Sequence, residues 1–162
     1  MLESATKKEY GSDYNAAVLE QWKTCVEQAN STTEKRNNSN GLFITLNVAL
    51  FAVITFTWDY KSILLSIVGI VVCILWLKMI RSYRQLSLVK YNIINEIEKQ
   101  LPLAPSSHEW ETLKLKHDYV DLTKLEKFIP WLFIVLYSLA ILWPLGEFLL
   151  NLICPCIVGT TP

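Results

Sequence analysis

Apolar residues gather into three runs along this chain, and the polar stretches between them keep a helical rhythm. Leu42–Trp58 is uncharged, Asp59-Tyr60-Lys61-Ser62 interrupts it, and Ile63–Leu77 follows, leading into Lys78-Met79-Ile80-Arg81-Ser82-Tyr83-Arg84. At about 1.5 Å per residue each arm reaches roughly 23–26 Å, close to a hydrocarbon core of about 30 Å once flanking side chains reach the interface. The pattern predicts a transmembrane hairpin. A third run, Phe128–Cys154, holds one charge, Glu147, and two prolines, Pro130 and Pro144. Its uncharged part, Phe128–Trp143, nearly crosses the core as a helix with Pro130 in the first turn; Pro144 lacks an amide, frees the Ala140 carbonyl and predicts a kink. Glu147 falls about 28 Å beyond Phe128 and is expected at the far interface. Thr123-Lys124-Leu125-Glu126 fits a capping box, which places a helix start just before this span.

Outside the three runs the period is that of amphipathic helices. After Ser12 or Asp13, both good N-caps, Tyr14, Val18, Trp22, Cys25 and Ala29 recur at steps of four and three. Asn30-Ser31-Thr32-Thr33 weakens this pattern. Asn37-Asn38-Ser39-Asn40-Gly41 weakens it again, because such side chains compete for backbone hydrogen bonds, and it reads as a hinge or a frayed continuation. Between Gly69 and Pro102 there is neither glycine nor proline, so the second arm is expected to continue as helix to Leu101. Its apolar stripe is Leu86, Val89, Ile93, Ile97 and Leu101, with Lys90, Glu96, Glu98 and Lys99 as solvated charge. With Trp22, this stripe is the candidate assembly surface. Its cover is the Tyr14–Ala29 helix, the segment around Trp110 and Leu113, or the same helix in another subunit. Pro102 and Pro105 stop the helix, and Ser106 or Ser107 is a candidate cap for a short turn through Glu111.

The expected fold class is therefore all-α: an integral membrane protein with a two-span hairpin, a third kinked span and cytoplasmic amphipathic helices. Its expected divisions are an N-terminal helix (1–41), the hairpin (42–80), a helical extension and linker (81–127), the third span (128–153) and a short tail (154–162).

Composition adds location more than chemistry. The 162 residues are 52% hydrophobic, and 15 basic residues balance 15 acidic ones, so nothing points to nucleic acid. The polar first forty residues lack the pattern of a removable signal peptide, leaving the first arm to direct insertion. Lysine and arginine are local: Lys35 and Arg36 precede the first arm, Lys78, Arg81 and Arg84 follow the second, and Lys124 and Lys127 precede the third. The positive-inside rule then puts the polar parts and the N-terminus in the cytoplasm, and the hairpin turn and carboxyl end outside. Trp58 and Tyr60 suit an outer aromatic belt, and Trp76, Tyr83 and Trp131 an inner one.

Candidate chemistry is sparse. No nucleophile elbow, phosphate loop or dinucleotide-binding glycine pattern occurs, so no enzymatic activity and no cofactor are expected. His108, Glu109, Glu111, His117, Asp118 and Asp121 form the one cluster with ligand chemistry, but its spacing matches no metal-site pattern and reads as a charged linker. Cys25, Cys73, Cys154 and Cys156 suggest neither a metal site nor a disulfide framework, although Cys154-Pro155-Cys156 is able to pair between chains on an oxidising side. Asn47 stands out, since an amide in hydrocarbon needs a partner: either another helix, or, in a ring-shaped oligomer, a ring of amides along a central path. Arg81 and Arg84 share a helix face at the membrane exit, as anchors or as contacts to lipid phosphate or a neighbouring carboxylate.

From Trp76 to Trp110 the chain resembles the RipA-like family of small bacterial inner-membrane proteins. The resemblance is carried by Ile80-Arg81-Ser82-Tyr83 with Leu86 and Lys90, by Glu96-Ile97-Glu98 before Leu101-Pro102, by Glu109-Trp110, and by Leu125-Glu126 with Pro130-Trp131. With the hairpin it covers about residues 14–145. It implies a homo-oligomer of the cytoplasmic membrane, an octamer, with no established enzymatic chemistry. The order of a cytoplasmic helix and a two-span hairpin is also similar to the SLATT effector domains, thought to permeabilise membranes in bacterial conflict. The reading that results is an oligomeric membrane scaffold or regulated pore in stress or defence, with recruitment of a soluble cytoplasmic partner as the alternative.

Overall fold

The computed structural model describes residues 7–57, 61–115 and 122–153, and every regular element among them is helical. The order is α1 (Lys7–Tyr10), α2 (Tyr14–Thr57), α3 (Lys61–Glu98), α4 (Pro105–Leu115) and α5 (Leu122–Ile153). Gly11, at φ 84°, closes α1 by donating its amide to the Lys7 carbonyl (3.2 Å), a left-handed cap that glycine adopts without a Cβ clash. The Asp13 carbonyl then accepts the Ala17 amide (2.9 Å) and opens α2 at the N-cap expected from the sequence.

Two corrections follow for the long helices. α2 runs 44 residues without a break through Asn37–Gly41, where a hinge or a frayed continuation was expected; the helix continues, and unbroken. Its hydroxyls satisfy themselves on the helix, Thr32, Thr33 and Thr45 each bonding the carbonyl four residues back (2.8, 3.1 and 3.0 Å), so they do not compete with the ladder. α3 ends at Glu98, short of Leu101, with the Gln100 and Leu101 amides turning back onto the Ile97 and Glu98 carbonyls. α5 begins at Leu122, so Thr123 lies in its first turn, and the helix runs through both Pro130 and Pro144.

The chain divides into two compact units. The polar unit comprises Met1–Asn38 and Arg81–Leu122; the apolar unit comprises Ser39–Ile80 and Thr123–Pro162. Inside the apolar unit the ends of α2 and α3 pair antiparallel and α5 packs on them. The core is Ile54, Cys73 and Tyr137, surrounded by Leu50, Phe51, Leu65, Ile70, Phe133, Ile134 and Ala140. Large apolar side chains cover the outside of this unit instead, with Phe56 90% exposed and Leu42, Leu64, Phe128 and Leu142 all above half. An exterior of large apolar side chains suits lipid as solvent.

Inside the polar unit α2 and α3 also pair antiparallel. Tyr14 donates to Gln100 (2.7 Å), Trp22 to Glu98 (3.2 Å) and Lys90 to the Gln28 carbonyl (3.4 Å). The Tyr14–Ala29 stripe forms the seam, Val18 and Ala29 buried and Tyr14, Trp22 and Cys25 half-buried.

Candidate functional site

The buried face of α3 within the apolar unit is not its most apolar one. Ser62, Ser66, Gly69, Cys73, Trp76 and Ile80 recur at steps of four and three and are all buried, a heptad seam of mostly small residues. Small side chains let helix backbones approach closely where the solvent is as apolar as leucine. At Gly69 the approach is extreme: a Cβ there overlaps the Tyr137 ring. Trp76, expected in an interfacial belt, is buried instead. Its indole donates to Asn40 Oδ1 (2.9 Å) and its ring stacks on Phe43 at 5.7 Å, so both ends of the side chain are used within the protein. Trp131, on the outside of α5, is exposed.

Asn47 lies at the centre of this unit with no exposed surface. Its amide nitrogen donates to the Phe43 carbonyl one turn back (2.8 Å), and its Oδ1 accepts from the Cys73 thiol (3.2 Å) and from the Tyr137 hydroxyl (3.1 Å). The same hydroxyl also lies 3.2 Å from the Asn47 carbonyl. One side chain therefore ties α2, α3 and α5 together. Within the protomer, then, Asn47 has the interhelical partners that an amide in hydrocarbon needs. Ser66 is equally enclosed and bonds the Ser62 carbonyl (2.8 Å).

The polar unit holds a second knot, which the sequence reading missed. Glu98, expected as solvated charge, is 1% exposed. Its carboxylate accepts the Trp22 indole, the Ser106 hydroxyl (2.7 Å) and the Ser106 and Ser107 amides (3.3 Å each). The amides are those a helix leaves unpaired at its N-terminus, so Glu98, and neither serine, caps α4. Pro105 at the first position has no amide to satisfy. A carboxylate with four donors is a stable buried group; the signal for it lay in its position one helical step after Ile94 and two after Lys90, on the seam.

The called assembly stripe is rotated from that seam. Ile94 and Glu98 are buried, whereas Leu86 is 45% and Val89 56% exposed; Ile93, Ile97 and Leu101 are half-buried. Arg81 and Arg84 are both exposed. Glu96 is exposed and hydrogen-bonded to Lys99 (2.6 Å), and that bond, with the adjacent positive charge, lowers its carboxyl below the ordinary range. His108 and Glu109 are exposed on α4, and among the described residues no group of His, Cys, Asp or Glu is arranged to hold a metal ion. His117, Asp118, Asp121, Cys154 and Cys156, the Trp58–Tyr60 part of the hairpin turn and the Trp110 and Glu147 side chains lie outside the described residues.

Among the described residues three helices are long and apolar enough to cross a membrane, and with the lipid-suited exterior they define a multi-pass all-α membrane protein. Residues 19–146 match the model of the octameric membrane protein family (8xMP), and the chain belongs to that family. No curated protein and no solved structure matches it.

Proposed function

We propose that this chain is one of eight identical subunits of a non-enzymatic assembly in a bacterial cytoplasmic membrane. Its spans form a membrane scaffold or regulated pore in stress or defence. The observation that carries the reading is the apolar stripe on α3 of the polar unit, where Leu86 and Val89 are about half exposed on a helix whose other face is already packed. Apolar surface outside the lipid-suited unit calls for protein cover. A second copy provides it, in keeping with the family's octameric description. Basic residues at the ends of the spans, Lys35, Arg36, Lys78, Arg81, Arg84, Lys124 and Lys127, favour a cytoplasmic polar unit, with the exposed Arg81 and Arg84 as anchors at the lipid surface.

Mass measurement of the protein purified in mild detergent is expected to give an eight-subunit species, and a monomer sinks the reading. The pore form places any path between subunits, because the interior around Asn47 is filled within one protomer. It predicts dye or ion flux from proteoliposomes; vesicles that stay sealed leave the scaffold form alone. Recruitment of a soluble partner uses the same stripe, and crosslinking in cells is expected to recover self-contacts from Leu86 and Val89 instead.

A further inference from the structure

The outer faces of α2 and α3 in the polar unit differ in charge. On α2 the seam is Val18, Trp22, Cys25, Ala29 and Thr32. Glu20, Glu27 and Glu34, seven residues apart, stand about half a turn away from it at roughly 100° per residue, and all three are exposed. On α3 the seam is Ser87, Lys90, Ile94 and Glu98, and the side turned away from it presents Arg81, Leu88, Asn92 and Lys99, with Arg84 at that side's edge, every one exposed. One outer face is acidic in balance, with Lys23 among its glutamates, and the other basic, with Leu88, 52% exposed, in the middle of the basic one.

These faces also match in height. The Trp22–Glu98 and Gln28–Lys90 bonds fix the antiparallel register inside the unit. By that register Glu34 lies level with Gln85, one residue beyond Arg84 and about one helical turn from Arg81; Glu27 lies level with Asn92 and Glu20 with Lys99. Within the protomer Arg84 already has an interaction of its own, and Glu20 and Lys99 have partners on their own helices, Lys23 at 3.6 Å and Glu96 at 2.6 Å. Both pairs are more than half exposed, and such pairs contribute little, so neither commits its carboxylate or ammonium.

Resting on the octameric reading, we propose that neighbouring copies meet head to tail. The Glu20–Glu27–Glu34 face of α2 in one copy packs on the Arg81–Arg84–Leu88–Lys99 face of α3 in the next. A two-fold contact of either face with itself sets like charges together, whereas two different complementary faces make a heterologous contact, the kind that closes a ring. Leu88 supplies the apolar centre of this contact.

The test uses charge exchange in the full-length protein in mild detergent. Glu20→Lys with Glu34→Arg, and separately Arg84→Glu with Lys99→Glu, are each expected to lower the eight-subunit fraction about tenfold or more. Mixing the two variants restores it, because each now presents what the other lacks. Octamers that persist in both variants overturn the proposal, while a wild-type monomer overturns the octameric reading itself. A second measurement holds even if a reversed charge disturbs folding. With Cys25, Cys73, Cys154 and Cys156 replaced by serine, Glu34→Cys alone and Arg84→Cys alone are expected to give no disulfide dimer, and their mixture to give one. Dimers from either variant alone, or none from the mixture, overturn the head-to-tail contact.

Discussion

Asn47 was legible from the sequence as a polar side chain that needed a partner, but its partners were not. Cys73 comes from the other arm of the hairpin and Tyr137 from a helix 90 residues away, and no local pattern links them. The general reason is the solvent. In lipid the apolar stripe faces outward and small or weakly polar residues face the seam, so the signal to follow was Ser62, Ser66, Gly69 and Cys73 at heptad spacing. The Tyr137 ring presses on Gly69 and its hydroxyl ends on Asn47, which separates shape from hydrogen bonding in two substitutions. Tyr137→Phe removes the hydroxyl alone and is expected to cost about 1 kcal/mol, the usual worth of such a bond between membrane helices. Gly69→Ala forces a methyl into the ring and is expected to cost about 1–3 kcal/mol. Thermal unfolding in detergent checks both. The cost of Gly69→Ala should vanish in a Tyr137→Ala background, because the space then exists; costs that simply add would refute the contact.

Element boundaries were read well where the chain carries stop signals and poorly where tertiary contacts override propensity. The N-cap at Asp13 stands as expected. The asparagine-rich Asn37–Gly41 stretch is helical, and Asn40 spends its side-chain oxygen on the Trp76 indole instead of on local backbone. Glu98 shows the reverse error: as a charge near a helix end it looked solvated, yet its carboxylate joins the end of α3 to Trp22 and to the start of α4. A buried carboxylate matched to four donors loses most when it is removed while its donors remain. Glu98→Ala is therefore expected to destabilise the polar unit by about 1.5–3 kcal/mol and to raise hydrogen exchange first at the Ser106 and Ser107 amides. Glu98→Gln keeps an acceptor and should show a smaller rise. Equal protection at both amides in wild type and Glu98→Ala would show that α4 does not depend on this cap.

At the scale of the whole molecule the sequence supplied the three spans and the stripe. It could not say which side of α3 the protomer uses for itself, since Ile94 and Ile93 are equally apolar and only the fold of α2 onto Ile94 and Glu98 decides. That choice turns Leu86 and Val89 outward, where the proposed assembly would cover them. Their exposure, 45% and 56%, means that charge placed there leaves the protomer's own packing intact. Leu86→Glu combined with Val89→Glu is expected to shift the purified protein from the eight-subunit species toward smaller ones, read by mass in mild detergent, while the helical content by circular dichroism stays at the wild-type value. Ile94→Glu offers the contrast. Ile94 is 1% exposed, so an unpaired carboxylate there is buried without a partner, and the polar unit is expected to lose helix as well as assembly. If both variants lost helix together, the stripe would belong to the protomer's own core. If the double variant kept its full mass, the cover over Leu86 and Val89 would have to come from something other than a second copy.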